Sequence, residues 1–220
     1  FIGVFEVVVH RSIWTCLILF ITTTLFKKWF IFKKVLFDIK KISILFITSL
    51  LIFGNWTVWI YAVSTNKIID ASFGYFIFPI ISVFFGFLFL NEKLNYKRII
   101  SISLVIISTS YLLFNLTSLP WTGFCVALLW SVYNLLRKKI NVETDIGLLI
   151  ESLFILPIVI IILYFIISTN NNDFTFKNLN LIGLILLAGP MTVIPLFLYV
   201  KGVELAGLGP SGMVFFITPT

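Results

Sequence analysis

Charge is scarce in this chain: Asp, Glu, Lys and Arg make up 11% of its 220 residues, and the acidic ones number nine. A soluble domain of this length needs more charge to coat its exterior. With 60% apolar residues and a mean hydropathy of +1.12, a water-soluble fold is excluded. The two cysteines, Cys16 and Cys125, both lie in apolar runs. That excludes an extracellular disulfide framework and leaves them as small packing residues. A single histidine, with no HExxH pair and no Cys/His cluster, gives no metal enzyme, and no cofactor is called for. No GxxxxGK[ST] loop occurs, so ATP is not the direct driver. Runs such as Ile158 to Ile167 do not alternate polar with apolar, which excludes a barrel.

What the chain has is length of apolar sequence. A helix rises about 1.5 Å per residue, so roughly 20 apolar residues cross the hydrocarbon. Eight stretches qualify, near 4–26, 43–63, 71–90, 98–115, 119–136, 147–167, 179–200 and 207–220. The expected fold class is an all-α polytopic membrane protein, a helix bundle with the lipid bilayer as its solvent.

The net charge of +7 invites a nucleic-acid partner until the charges are placed. Alternate gaps hold 13 of the Lys and Arg residues, against two (Lys67 and Lys177) in the others. This is the positive-inside bias, and it puts loops 27–42, 91–98, 137–146 and 201–206 in the cytoplasm. The charge reports orientation in a plasma membrane, and no nucleic-acid partner is expected. Trp29, Phe30, Phe32 and Phe37 among the lysines of 27–42 suggest a helix lying at the interface.

The two halves contain matching pieces. Tyr75-Phe-Ile-Phe-Pro79 resembles Phe215-Phe-Ile-Thr-Pro219, and Gly54-x-x-Thr57-Val58 resembles Gly189-x-x-Thr192-Val193. Glu6 opens one span as Glu151 lies near the start of another. The 4–26 span runs inward and its counterpart, 147–167, runs outward, so the halves are inverted. The expected repeats are 1–118 and 119–220. Five helices per half is the natural complete form, with an opening helix before Phe1 and a final one after Thr220. The chain is therefore expected to be part of a ten-helix protein. Inverted repeats are typical of transporters with a solute site near the midplane.

Several of these residues carry a family resemblance. Glu6-x-x-x-His10-Arg11-x-x-Trp14, Asn55-Trp-Thr-Val-Trp-Ile-Tyr-Ala-Val63, Ala71-Ser-Phe-Gly-Tyr-Phe-Ile-Phe-Pro79 and Asn91-Glu-Lys-Leu94 contribute. So do Trp130-Ser-Val-Tyr-Asn-Leu-Leu-Arg-Lys-Lys139, Gly147-Leu-Leu-Ile-Glu151 and Gly189-Pro-Met-Thr-Val-Ile-Pro195. Together they resemble the RarD-type branch of the EamA family, in the drug/metabolite transporter superfamily. The resemblance implies a ten-helix inverted-repeat carrier, often labelled a chloramphenicol-sensitivity protein. The chain departs from that pattern at Phe78 and Phe215, where the family carries Asn and Gln.

Candidate pathway residues follow from polar groups at membrane depth. A charge in hydrocarbon costs roughly 2.5–3.5 kcal/mol on insertion scales, so it must face a partner or a water-filled cavity. Glu6 and His10 share a helix face, and Arg11 lies about 100° around from His10. Arg11 would attract an anionic group, while Glu6, His10 or Glu151 would accept a coupling proton. A first-turn carboxylate and a snorkelling arginine are the plainer alternatives. Asn55 and Trp56 would bind a planar solute, or Asn55 would join helices. Tyr75 and Thr192 sit in the repeated motifs, and Trp130 with Tyr133 would line a cavity or simply pack. Gly74, Pro79, Pro195 and Pro219 are read as hinges that interrupt spans. Asn91-Glu92-Lys93-Leu94 and Arg137-Lys138-Lys139 are read as cytoplasmic anchors. The functional expectation is a secondary transporter of a small organic solute, with proton coupling through Glu6, His10 or Glu151 as one form and a facilitator or exchanger as the other. A membrane-embedded enzyme and a non-transporting scaffold or sensor are the rival classes.

Overall fold

The computed structural model describes residues 3–116, 118–169 and 179–217. Among these every regular element is helical: α1 Val4–Leu25, α2 Trp29–Leu36, α3 Ile39–Ser64, α4 Ile68–Leu90, α5 Tyr96–Phe114, α6 Trp121–Ile140, α7 Thr144–Ser168, α8 Leu179–Ala206 and α9 Leu208–Val214, then a 3-10 turn, Phe215–Ile217. Six are long and apolar enough to cross a membrane, in α1, α3, α4, α5, α7 and α8. The expected eight spans reduce to six by that measure for two local reasons. Helix α6 ends in Arg137, Lys138 and Lys139, which shortens its apolar part. The 207–220 stretch forms only the seven-residue α9 and a 3-10 turn among the described residues.

Lipid as the solvent explains the surface. Helix α5 buries Thr109 alone, while Ile99, Leu104, Ile107, Tyr111 and Phe114 are exposed. A helix apolar all round and bare on most of its face would aggregate in water. Backbone groups are satisfied within helices, as hydrocarbon requires. Many hydroxyls fold back on their own helix: Ser12 donates to the Val8 carbonyl at 2.8 Å and Ser131 to that of Ala127 at 2.7 Å. Asn66, Asn91 and Asn141 follow helix ends with φ of 57°, 53° and 46°. Asparagine tolerates that left-handed conformation better than bulkier residues.

The chain forms two compact units. The first combines 1–53 with 140–201, the second 54–139 with 202–220, so each draws on both halves of the sequence. In the first unit α1 packs along α7. Its core joins Val35, Leu45, Ile140, Val142, Ile146 and Ile150, with Phe154 against Phe46 at a ring-centroid distance of 5.3 Å. Within the 27–42 segment α2 is helical, as expected, and it buries Val35 in this core.

At the end of α1, Lys28 Nζ donates to Asp145 Oδ2 at 2.6 Å and to Glu143 Oε2 at 2.9 Å. Burial works against the ammonium, but bonds and charge from Asp145 and Glu143 outweigh it and hold the Lys28 pKa above the ordinary value. This contribution is complete below the pKa of an unfolded lysine and is lost as pH rises through the higher folded value. The partners are partly solvated, so Lys28→Met is expected to cost about 0.2–1 kcal/mol. Thermal unfolding in detergent should show that loss shrinking with salt and disappearing at strongly alkaline pH.

In the second unit α4 packs on α9 and α5 and crosses α6. The α4–α6 crossing is set by Gly74 and Gly123. A methyl at Gly74 would stand 2.6 Å from the Gly123 carbonyl oxygen, and one at Gly123 would stand 2.9 Å from the Gly74 nitrogen. Only hydrogen fits between these backbones. Of the cysteines, Cys16 is buried as expected, but Cys125 is exposed and packs nothing into the core.

Candidate substrate pathway

The first unit gathers five polar candidates, brought there by α1, α7 and α8, with Thr48 of α3 beside them. Glu6 is 1% exposed, and His10 stands one turn later with Nε2 3.9 Å from Glu6 Oε1. That separation suits a charge contact when the imidazole is protonated and is too long for a hydrogen bond. Arg11 is half-buried and its Nε donates to Thr192 Oγ1 at 2.8 Å. Thr192 in turn donates to the Ala188 carbonyl at 2.7 Å, so its oxygen is free to accept from the guanidinium. The approach of α1 to α8 depends on Gly189, one turn before Thr192. A methyl there would lie 2.8 Å from Trp14 Cβ and 2.7 Å from Ile18 Cδ1. Residues 11, 14 and 18 of α1 therefore meet residues 189 and 192 of α8 along one seam.

Glu151 is 2% exposed on α7, and Thr48 Oγ1 on α3 lies 2.6 Å from its Oε1. Thr48 Oγ1 is also 3.0 Å from the Leu45 carbonyl. A hydroxyl has one proton and here faces two acceptors. With Glu151 ionised, Thr48 donates to the carboxylate. With Glu151 protonated, the acid donates to Thr48, which then donates to Leu45. The pair has a satisfied form in either charge state. Thr48 escaped sequence reasoning because a threonine in an apolar helix satisfies itself on its own backbone and carries no distinguishing signal.

The second unit holds the aromatic candidates. Trp59 meets Tyr75 at 5.1 Å between ring centroids, Tyr75 meets Phe215 at 5.5 Å, and Phe215 meets Phe78 at 5.0 Å. Phe78 continues to Trp130 at 6.3 Å, which stacks on Tyr133 at 5.3 Å with 13° between planes. The chain of rings joins α3, α4, α6 and the 3-10 turn. Tyr133 is fully enclosed beneath Trp130, whereas Tyr75, Trp130 and Phe215 are half-buried. The two departures noted in the sequence, Phe78 and Phe215, are in contact with each other. Trp56 is buried, and Asn55 Nδ2 donates to the Val126 carbonyl at 3.0 Å, which joins α3 to α6.

The breaks expected at the hinge candidates are absent among the described residues. Helices α4 and α8 run without interruption through Pro79 and Pro195, and Gly74 lies inside the α4–α6 crossing. A proline removes one N–H, and the rest of a long packed helix holds the geometry around it. Pro219 lies outside the described residues. The break in this region comes at Gly207, between α8 and α9, with φ of 94°.

These features define a multi-pass helical membrane protein with buried charge in one unit and linked aromatic rings in the other. The EamA-like transporter family model matches residues 1–114. Protein RarD of Salmonella typhi is 31% identical over 215 residues, covering 98% of this chain and 73% of that protein. An uncharacterized transporter of Vibrio cholerae is 31% identical over 219 residues (100% of this chain, 72% of the relative). The transporter YojE of Bacillus subtilis is 32% identical over 218 residues, covering 98% and 72%. A chloramphenicol-sensitive protein RarD of Pseudomonas aeruginosa aligns over 165 residues at 25% identity, with 73% of this chain and 55% of that protein covered. No solved structure matches. The chain belongs to the EamA-like transporter family and is a membrane transporter.

Proposed function

We propose that the protein is a secondary carrier that moves a small organic solute across the plasma membrane by alternating access between inverted halves, 1–118 and 119–220. The observation that carries this reading is the pairing of matched segments. Helices α1 and α7, which bear Glu6 and Glu151 at corresponding places, pack along each other. Tyr75 and Phe215, the opening residues of the repeated aromatic motif, are in ring contact. Elements related by a two-fold axis meet their own counterparts at that axis, so this pairing supports an inverted repeat. In the reading, α6 and the 207–220 stretch add two crossings to the six apolar helices, for eight in all.

The ion pairs support the proposed orientation. Lys28 binds Glu143 and Asp145, which joins loops 27–42 and 137–146 at one end of the first unit. In the second unit Lys138 donates to the Glu204 carbonyl, so 137–146 and 201–206 also share an end. All of these loops are assigned to the cytoplasm. Arg11 and Thr192 would meet an anionic or polar solute group, and Tyr75, Trp130 and Phe215 a planar one. The Thr48–Glu151 pair, stable in form with or without a proton, is the proposed coupling site, with Glu6 and His10 as a second.

Uptake into proteoliposomes tests the function. Chloramphenicol, taken from the name of the Pseudomonas relative, is the first solute to assay. The expected result is saturable, protein-dependent flux of a small organic solute that responds to an imposed pH gradient. Uptake equal to protein-free vesicles for every solute that stabilises the protein against heat would contradict the proposal.

A further inference from the structure

The carboxylate of Glu92, in the short α4–α5 loop, reaches 116 residues along the chain. Leu208 N–H donates to its Oε1 at 2.7 Å and Gly209 N–H to its Oε2 at 2.9 Å. These are first-turn amides of α9, with no partner inside their own helix. A carboxylate there satisfies two donors and opposes the positive helix end. The backbone of Glu92 is also fixed: its N–H donates to the Gly86 carbonyl at 3.0 Å, past Asn91 in the left-handed conformation. That bond closes the C-terminus of α4. Glu92 therefore joins the end of α4 to the start of α9 through main chain on one side and side chain on the other.

The surroundings are cut to fit the carboxylate. A methyl at Gly86 would lie 2.7 Å from Glu92 Oε2, and one at Gly207 would lie 2.5 Å from Oε1. On the other side of the Gly207 break, Lys138 Nζ donates to the Glu204 carbonyl near the end of α8. Anion at a helix start and cation at a helix end both match the local dipole. The residues immediately after α9 form the 3-10 turn that carries Phe215 against Tyr75 and Phe78.

Resting on the reading that these rings face the solute, we propose that Glu92 is a positioning residue: its clasp on α9 sets the place of Phe215 in the aromatic wall and hence the affinity for solute. Gln has a single acceptor oxygen and no charge, so Glu92→Gln loses one of the two bonds and turns an amide N–H₂ towards the other donor.

The position of α9 on α4 can be read from a disulfide. A methyl at Gly212 would stand 2.9 Å from Ser82 Cβ. A disulfide spans roughly 3.5–4.5 Å between Cβ atoms, so α9 must ease off α4 by about 0.6 Å or more for a bridge to form there. With Ser82→Cys and Gly212→Cys in a Cys16→Ser, Cys125→Ser background, oxidation should close the bridge quickly. Adding Glu92→Gln is expected to slow closure about tenfold, the worth of one charge-assisted bond, and to raise the KM for chloramphenicol uptake by a similar factor with a smaller change in maximal rate. Gly86→Ala, which crowds the carboxylate instead of removing it, should do the same and serves if Glu92→Gln does not fold. Closure unchanged in both variants would overturn the clasp. Slowed closure with an unchanged KM would overturn its link to the solute wall. Slowed closure with no chloramphenicol uptake by any variant, the parent included, would keep the clasp and reject the reading that these rings face a transported solute.

Discussion

Replacing Glu151 by Gln is expected to leave the protein folded and to remove the response of solute flux to a pH gradient. The amide oxygen of Gln can still accept the Thr48 bond of 2.6 Å, so the packing of α7 survives. What is lost is the exchange of a proton between two satisfied forms. Coupling energies between linked sites run at about 1–3 kcal/mol, so gradient-driven accumulation should fall on the order of 10-fold to 100-fold. Solute exchange without a gradient should persist. Thr48→Val has a different signature: it leaves a buried carboxylate without its hydroxyl donor and should lower stability by about 1–3 kcal/mol. Accumulation that still follows the pH gradient in Glu151→Gln would move the coupling site elsewhere.

Gly123→Val should be the most damaging of the small substitutions in the bundle. The position faces the α4 backbone at Gly74, and main chain cannot swing aside as a side-chain tip can. Overpacking of this kind typically costs about 1–3 kcal/mol, and a β-branched residue at a backbone crossing belongs at the upper end. Thermal unfolding in detergent should show the loss. Gly183→Val is the control, because nothing lies within 4 Å of a methyl there. Equal stability of the two variants would contradict the close crossing.

Much of this fold is legible in the sequence because lipid makes simple demands. The expected spans 71–90, 98–115 and 147–167 match α4, α5 and α7 to within a few residues at each end. The error at the start of α3, expected at 43 and found at Ile39, has a physical cause. Lys40 and Lys41 lower the hydropathy of the first turn but stay helical, since the Lys41 N–H donates to Asp38 Oδ1 at 3.2 Å. The individual residues of the candidate site were less legible. Glu6, Arg11 and Glu151 announce themselves as charge at membrane depth, but Thr48 does not. Glu92 reads as a cytoplasmic anchor, and its partners are main-chain amides of α9, which have no sequence signature. Pro79 and Pro195 read as breaks because proline removes a donor, yet the packed helices carry on through them.

The sidedness of the loops fixes the orientation of every helix, and site-directed labelling measures it. Single cysteines at Lys33, Asn66 and Asn141, in a background without Cys16 and Cys125, would be exposed to an impermeant thiol reagent in intact cells. Labelling of position 66 alone, with 33 and 141 reacting only after the membrane is opened, is the predicted result. Positions 33 and 141 reacting from opposite faces would contradict both the inverted halves and the Lys28 bridge to Glu143 and Asp145.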